Sequence, residues 1–201
     1  LPGKATRIMF KSTDAANQPV AVTGAYIEPS KKWRGKGNRP LVVVASGTVG
    51  AGDQCAPSIS LEAPLVFDLE GKTLGLGYDL LAVYNLLGQG VGVVFTDYVG
   101  LGNTDRIHTY MNRLDQAHTV NDAARAALQL SGTTLKSNSK VGFYGYSQGG
   151  GAAGAAAELQ PTYAPELNLA GAYVGAPPAD LVKTIDGIDG SVLASALAWT
   201  I

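Results

Sequence analysis

The chain has 201 residues and a formal net charge of −1, with 46% hydrophobic and 15% charged residues. These values fit one globular domain and exclude an intrinsically disordered chain. The near-neutral charge lacks the excess of Lys and Arg with which proteins contact phosphates, so we expect no nucleic-acid partner. The longest uninterrupted apolar run, residues 41–45, is far shorter than the roughly 18 residues of a membrane span, which predicts a soluble chain.

Strand-type and helix-type segments alternate along the chain, a pattern typical of parallel sheets with helical crossovers. Strands are predicted at 6–12 and 20–28, and the β-branched run at 41–45 predicts a third strand that is buried on both faces. A helix at 78–87, a strand at 91–96 and an amphipathic helix at 116–130 follow. A strand at 141–146, an Ala-rich helix at 149–160 ended by Pro161, and a strand at 169–174 complete a predicted α/β domain.

Residues 145–149 read Gly-Tyr-Ser-Gln-Gly and match G-x-S-x-G, a sharp turn that exposes a serine hydroxyl between a strand and a helix. The residues before Ser147 can form a buried strand, and the helix after it opens with Gly and Ala only. Small residues are needed there because the helix passes very close to neighbouring strands. Ser147 is therefore a candidate nucleophile, and a glycine-rich turn without chemistry is the alternative.

An oxyanion site is predicted beside Ser147. The backbone N–H of Gln148 lies at the start of the predicted helix, where the helix dipole favours negative charge. A second donor is expected from the loop at 46–58, after the third predicted strand, in which Thr48 offers an N–H and a hydroxyl. The alternative for this loop is a flexible connector.

Neither histidine of the chain lies where a hydrolase with a G-x-S-x-G turn carries its catalytic histidine. Its catalytic residues follow the order nucleophile, acid, histidine, yet the chain's two histidines, His108 and His118, both precede Ser147. We expect a structural role for His118 at the start of a helix and a pocket-lining place for His108 in a loop. Asp97, at the end of a strand, is predicted to anchor its loop by hydrogen bonds. The acidic residues after the last strand are not assigned as the catalytic acid; they are Asp180, Asp186 and Asp189.

Five segments in order resemble the secretory lipase family, the α/β-hydrolases that include fungal lipase A and many actinobacterial relatives. They are 46–58 (SGTVGAGDQCAPS), 96–102 (TDYVGLG), 108–110 (HTY), 122–127 (DAARAA) and 145–150 (GYSQGG). The resemblance extends from about residue 7 to residue 178. It implies an α/β-hydrolase fold and a secreted or cell-envelope serine esterase with Ser147 as nucleophile. It also implies oxyanion donors at Gln148 and Thr48, with neither a metal ion nor an organic cofactor.

Residues 1–178 are interpreted as the N-terminal part of the hydrolase core and residues 179–201 as the start of a helical cap that contacts lipid surfaces. The resemblance implies a substrate that is an acylglycerol or a related acyl ester, and a complementary C-terminal segment or chain that carries the catalytic Asp and His. Cys55 is the single cysteine, and in a secreted protein we expect it to pair with a cysteine outside these residues. Two alternatives stay open: a non-catalytic chain that binds lipid or a partner, and an acyltransferase.

Overall fold

A computed structural model describes residues 2–50, 52–61, 65–68, 73–76, 79–102, 106–191 and 194. Its strands are β1 (Gly3–Thr13), β2 (Pro19–Pro29), β3 (Leu41–Ala45), β4 (Leu65–Asp68), β5 (Thr73–Leu76), β6 (Gly92–Thr96), β7 (Val141–Tyr146) and β8 (Leu169–Gly175). Its helices are α1 (Pro57–Ser60), α2 (Asp79–Gly88), α3 (Arg113–Gln129), α4 (Gln148–Tyr163) and α5 (Leu181–Ile188). Among these described residues, no helix is both long and apolar enough to cross a membrane.

Six strands form one mixed sheet in the order β1-β2-β6-β3-β7-β8. The four strands from β6 to β8 run parallel, whereas β1 and β2 form an antiparallel hairpin that joins β6 in antiparallel orientation. The predicted sheet of six strands, mostly parallel, is thereby confirmed. A separate antiparallel pair, β4 with β5, was not predicted from the sequence.

The centre of the sheet is buried on both faces, as the β-branched composition of β3 predicted. Val43 of β3 packs into a large core with residues of α3 and α4, while Val44, the next residue, packs into a second core with Val83 and Leu87 of α2. This division follows from the alternation of side chains along a strand. Helices therefore cover the sheet on both sides.

Two helix boundaries differ from the sequence prediction by three residues, and the others by at most one. Helix α3 starts at Arg113, before the predicted residue 116, because the Asn112 side chain accepts hydrogen bonds from the N–H groups of Leu114 and Asp115, both at 3.1 Å. Helix α4 continues past Pro161 to Tyr163, so the prediction that this proline ends the helix was wrong. The division into a core of residues 1–178 and a cap of residues 179–201 stays a prediction.

Candidate active site

Ser147 lies at the turn between β7 and α4 with a backbone conformation that non-glycine residues rarely adopt. Its φ is 58° and its ψ is −124°, a strained combination that proteins retain mostly at functional sites. Ser147 holds the N-cap position of α4, where a serine hydroxyl ordinarily accepts a helix N–H, yet its side chain makes no capping hydrogen bond. Ser147 is partly exposed, and its hydroxyl is not occupied as a helix cap.

Two glycines make this turn sterically possible. A Cβ atom added to Gly149 would overlap the carbonyl oxygen of Ala45 at the end of β3, and one added to Gly145 would overlap the carbonyl oxygen of Gly149. The start of α4 therefore presses directly against the neighbouring strand. The small residues that the sequence analysis singled out around Ser147 are required by this close approach.

Gln148 is the first residue of α4, a helix of 16 residues, and it is buried. Its N–H belongs to the first turn, where N–H groups have no partner within the helix and where the helix dipole is positive. The Ser147 N–H is already used, since it donates to the carbonyl oxygen of Gly175 in β8 at 2.9 Å. Gln148 therefore lies at the positive end of α4, and its role as an oxyanion donor stays a prediction.

The loop after β3 lies beside this turn. Ala45 of β3 pairs with Gly145 of β7 in parallel register, and paired strands lie about 4.8 Å apart. Gly47 lies two residues after Ala45, and Ser147 lies two residues after Gly145. The loop and the candidate nucleophile therefore emerge side by side at the carboxyl edge of the sheet, where ligands bind in open α/β sheets.

Three successive residues of this loop are hydrogen-bonded to three different parts of the chain. The Ser46 carbonyl oxygen accepts from the Tyr98 hydroxyl at 2.7 Å. The Gly47 N–H donates to Oδ2 of Asp79 at 3.1 Å, and the Thr48 hydroxyl lies 2.8 Å from that of Tyr110. These contacts fix the start of the loop. A flexible connector, the alternative for this segment, would not require them.

Both histidines are held by backbone carbonyl groups. Nδ1 of His108 lies 2.8 Å from the Val99 oxygen, and burial lowers the pKa of this imidazole. Nδ1 of His118 lies 2.8 Å from the Thr13 oxygen, and its ring stacks on Tyr163 with centroids 4.0 Å apart. His118 lies inside α3 rather than at its start, and its contacts are those of the structural role that we expected.

The carboxylates near the sheet edge also have structural partners. Asp97 is fully buried and accepts hydrogen bonds from the Ser58 N–H, the Ser58 hydroxyl and the Thr23 hydroxyl at 2.7, 2.6 and 2.7 Å. It is the loop anchor that the sequence analysis predicted. Asp180 caps α5 by accepting from the Lys183 N–H. The described residues contain no group of three or more His, Cys, Asp or Glu side chains arranged to hold a metal ion.

Sequence analysis missed three residues that contact the start of the loop: Asp79, Tyr98 and Tyr110. An acidic residue in the first turn of a helix is ordinarily a solvent-exposed partner of the helix dipole, so the pattern around Asp79 gave no signal of its burial. Tyr98 and Tyr110 appeared only within segments of the family resemblance. Cys55 is half-buried and is the only cysteine of the sequence, so its pairing with a cysteine elsewhere stays a prediction.

The model of the secretory lipase family matches residues 65–201, which is more than half of the chain. The chain belongs to the secretory lipase family. A probable trichothecene esterase of Stachybotrys chartarum is 32% identical over 199 residues, which are 98% of this chain and 39% of that protein. A probable inactive lipase of Mycobacterium tuberculosis is 29% identical over 96% of this chain and 41% of that protein.

The fold of this secretory lipase family member is also that of a solved lipase. A crystal structure of Candida antarctica lipase A superposes with a TM-score of 0.76 at 25% identity, over 96% of this chain and 42% of that chain. The α/β-hydrolase fold predicted from the sequence is thereby confirmed. The chain spans about two fifths of the length of the curated relatives it matches.

Proposed function

We propose that this chain carries the nucleophile and the oxyanion site of a serine carboxylic-ester hydrolase, a lipase or esterase acting on acylglycerols or related acyl esters. The observation that carries the proposal is the strained backbone of Ser147 at the N-terminus of α4, with a hydroxyl that does not cap the helix. A merely structural serine at this position would be expected to form that cap. The family membership supports the reaction type.

Under this proposal the reaction proceeds through an acyl ester on Ser147. A histidine accepts the proton of the Ser147 hydroxyl while Oγ attacks the ester carbonyl carbon, and the carbonyl oxygen becomes negatively charged. The N–H groups of Gln148 and Thr48 stabilise this oxyanion. The alcohol then leaves with the proton from the histidine, and water hydrolyses the acyl ester on Ser147 to release the acid.

The acid and the histidine come from a segment outside residues 1–201. Both histidines of this chain precede the nucleophile, and each is held through Nδ1 by a backbone carbonyl group. The chain also matches only about two fifths of its curated relatives. We propose that a complementary C-terminal segment supplies both groups.

Secretion and contact with lipid surfaces are part of the same proposal. The family is named for secretion, and α5 exposes three apolar side chains, Leu181, Val182 and Ile185. An exposed apolar patch of this kind is typical of a surface that meets a membrane, a lipid droplet or another part of the protein. Replacing Val182 by Asp should then weaken binding to phosphatidylcholine vesicles in a sedimentation assay.

The test of the catalytic proposal is labelling of the full natural protein by a fluorophosphonate. The wild type should be labelled at Ser147 and should hydrolyse a short-chain nitrophenyl ester. Ser147→Ala should lose the label and should lower the rate by at least about a thousandfold, because the covalent step disappears. Circular dichroism should show that the variant is folded.

Ser137 offers a matched control, since it is exposed in the loop before β7, at the opposite end of that strand from Ser147. Ser137→Ala should keep both the label and the activity. Full activity in Ser147→Ala, or a label on another serine of the wild type, would refute the assignment.

A non-catalytic role on the same scaffold is the second candidate. It is favoured by the probable inactive lipase among the relatives. Under this candidate, the full natural protein would bind acyl esters without turnover, and Ser147→Ala would not alter binding. Equilibrium binding measured beside the esterase assay separates the two functions.

A further inference from the structure

Asp79, the first residue of α2, is a buried carboxylate that contacts the loop beside the candidate nucleophile. Only 7% of the residue is exposed. Its Oδ2 atom accepts the hydrogen bond from Gly47, while Oδ1 is buried without a hydrogen-bond partner among the described residues. One of the two carboxylate oxygens is therefore buried and unpaired within that part of the chain.

This arrangement is unfavourable for the stability of the fold. Burial raises the pKa of Asp79 to about 6, and the Gly47 hydrogen bond offsets that effect only in part. Burial raises the pKa of the Tyr144 phenol in β7, and the negative charge of Asp79 adds to that rise. None of the ion pairs found among the described residues includes Asp79. A buried charge without a cationic partner is more typical of a functional position than of a packing position.

The bond to Asp79 also decides which N–H group of the loop can reach a substrate. An N–H group donates one strong hydrogen bond, so the Gly47 N–H is occupied. The next N–H along the chain belongs to Thr48, whose side chain is held by Tyr110. With the Gly47 peptide fixed on one side and the Thr48 side chain on the other, rotation of the intervening backbone is restricted.

We propose that Asp79 is a positioning residue for ester hydrolysis: by accepting the Gly47 N–H, it orients the loop so that the Thr48 N–H faces the oxyanion. This inference rests on the proposed function. It assigns the effect to the hydrogen-bond acceptor rather than to the negative charge, because a negative charge near a developing oxyanion opposes the reaction.

Two substitutions in the full natural protein separate the acceptor from the charge. Asp79→Ala removes both, whereas Asp79→Asn keeps a carbonyl oxygen for the Gly47 N–H and removes only the charge. We expect Asp79→Ala to lower kcat about ten- to a hundredfold, less than the loss of a donor itself, with KM changed less than about threefold. Asp79→Asn should keep at least the wild-type kcat.

The affinity for an alkyl trifluoromethyl ketone, which forms an oxyanion adduct with a serine nucleophile, gives an independent measurement. It should fall in Asp79→Ala in parallel with kcat/KM, while the affinity for a non-reacting alkyl alcohol should stay unchanged. A residue needed only for folding would instead lower the folded fraction and leave the kinetic constants of the folded enzyme unchanged. Thermal unfolding of each variant provides the folded fraction.

The inference is overturned if folded Asp79→Ala keeps the wild-type kcat, or if Asp79→Asn is as slow as Asp79→Ala. It is also overturned if the loss of activity in both variants follows the folded fraction alone. These outcomes presuppose a wild type that hydrolyses the ester through Ser147. A wild type that is neither labelled nor active refutes the proposed function instead.

Discussion

Ser147 and Asp79 each occupy a conformation or an environment that opposes folding. The positive φ of Ser147 costs of the order of 1–3 kcal/mol, and its hydroxyl forgoes a helix cap worth about 1 kcal/mol. Asp79 keeps a carboxylate away from water, with one oxygen unpaired among the described residues. Both residues lie at the carboxyl edge of the sheet, next to the same loop, so these unfavourable terms are concentrated where the site is proposed.

The raised pKa of Asp79 predicts a pH dependence of stability. Because the pKa is about 6 in the folded chain against an ordinary value of 3.8, the folded state holds this proton more tightly than the unfolded state does. The contribution of Asp79 to stability is thus fully present below pH 3.8 and is lost as pH rises through about 6, a change of about 3 kcal/mol at most.

The side chain at position 79 does not titrate in Asp79→Asn. The unfolding free energy of this variant minus that of the wild type should therefore increase between about pH 4 and pH 6 and then level off. Urea unfolding of both proteins across this range measures the difference, in which the other carboxylates cancel. A difference that does not change with pH would contradict the assignment of the raised pKa to Asp79.

The strand-turn-helix element formed by β7 and α4 depends on how closely its helix approaches β3. Gly149 meets the Ala45 carbonyl oxygen, whereas Gly151, two residues further along the same helix, faces only Pro178 at ordinary contact distance. Glycine is therefore a steric requirement at one position and not at the other. The same helix offers a test and its control.

Gly149→Ala should destabilise the protein by about 1–3 kcal/mol, since the added methyl group forces β3 and α4 apart. It should also lower fluorophosphonate labelling of Ser147, because the turn that positions the hydroxyl is displaced. Denaturant unfolding and labelling rates in the full natural protein measure both effects.

Gly151→Ala is the control, and it should raise stability by about 0.5–1 kcal/mol, because alanine favours a helix over glycine. Its Cβ atom would lie 3.5 Å from Cδ of Pro178, an ordinary van der Waals distance. Equal effects of the two substitutions would contradict the steric explanation.

At the scale of the whole molecule, one edge of the sheet is uncovered by the described residues. Strand β8 ends the sheet order, residues 170–174 within it are exposed, and Tyr173 is 55% exposed. Helix α5, which follows β8 along the chain, adds three exposed apolar residues, Leu181, Val182 and Ile185. An open edge strand beside apolar surface is a template for pairing with another chain.

Residues 1–201 produced alone should therefore aggregate or unfold without a cooperative transition. Size-exclusion chromatography and thermal unfolding test this expectation. Lysine at positions 182 and 185, through Val182→Lys and Ile185→Lys, should reduce aggregation, because charge on an exposed apolar face opposes association. A soluble monomer with a cooperative transition would contradict the prediction. If that monomer also hydrolysed an ester, His108 or His118 would have to be the base.

The amino-acid sequence by itself determined the order of the main strands and helices, the mostly parallel sheet and the turn at Ser147. These features depend on contacts within a few residues: the alternation of side chains along a strand, the period of a helix, and the small residues around the turn. Helix ends were less well determined: α3 begins directly after the Asn112 cap, and α4 continues past Pro161 to Tyr163.

Only the tertiary structure decided how the loop after β3 is held. The bonds from Gly47 to Asp79 and from Thr48 to Tyr110 join residues 32 and 62 positions apart. No local sequence pattern predicts either contact. Partners so distant in sequence meet only once the strand order β6-β3-β7 brings their loops to one edge of the sheet. The same packing of loops buries Asp79. Its position at the start of a helix does not by itself predict that burial.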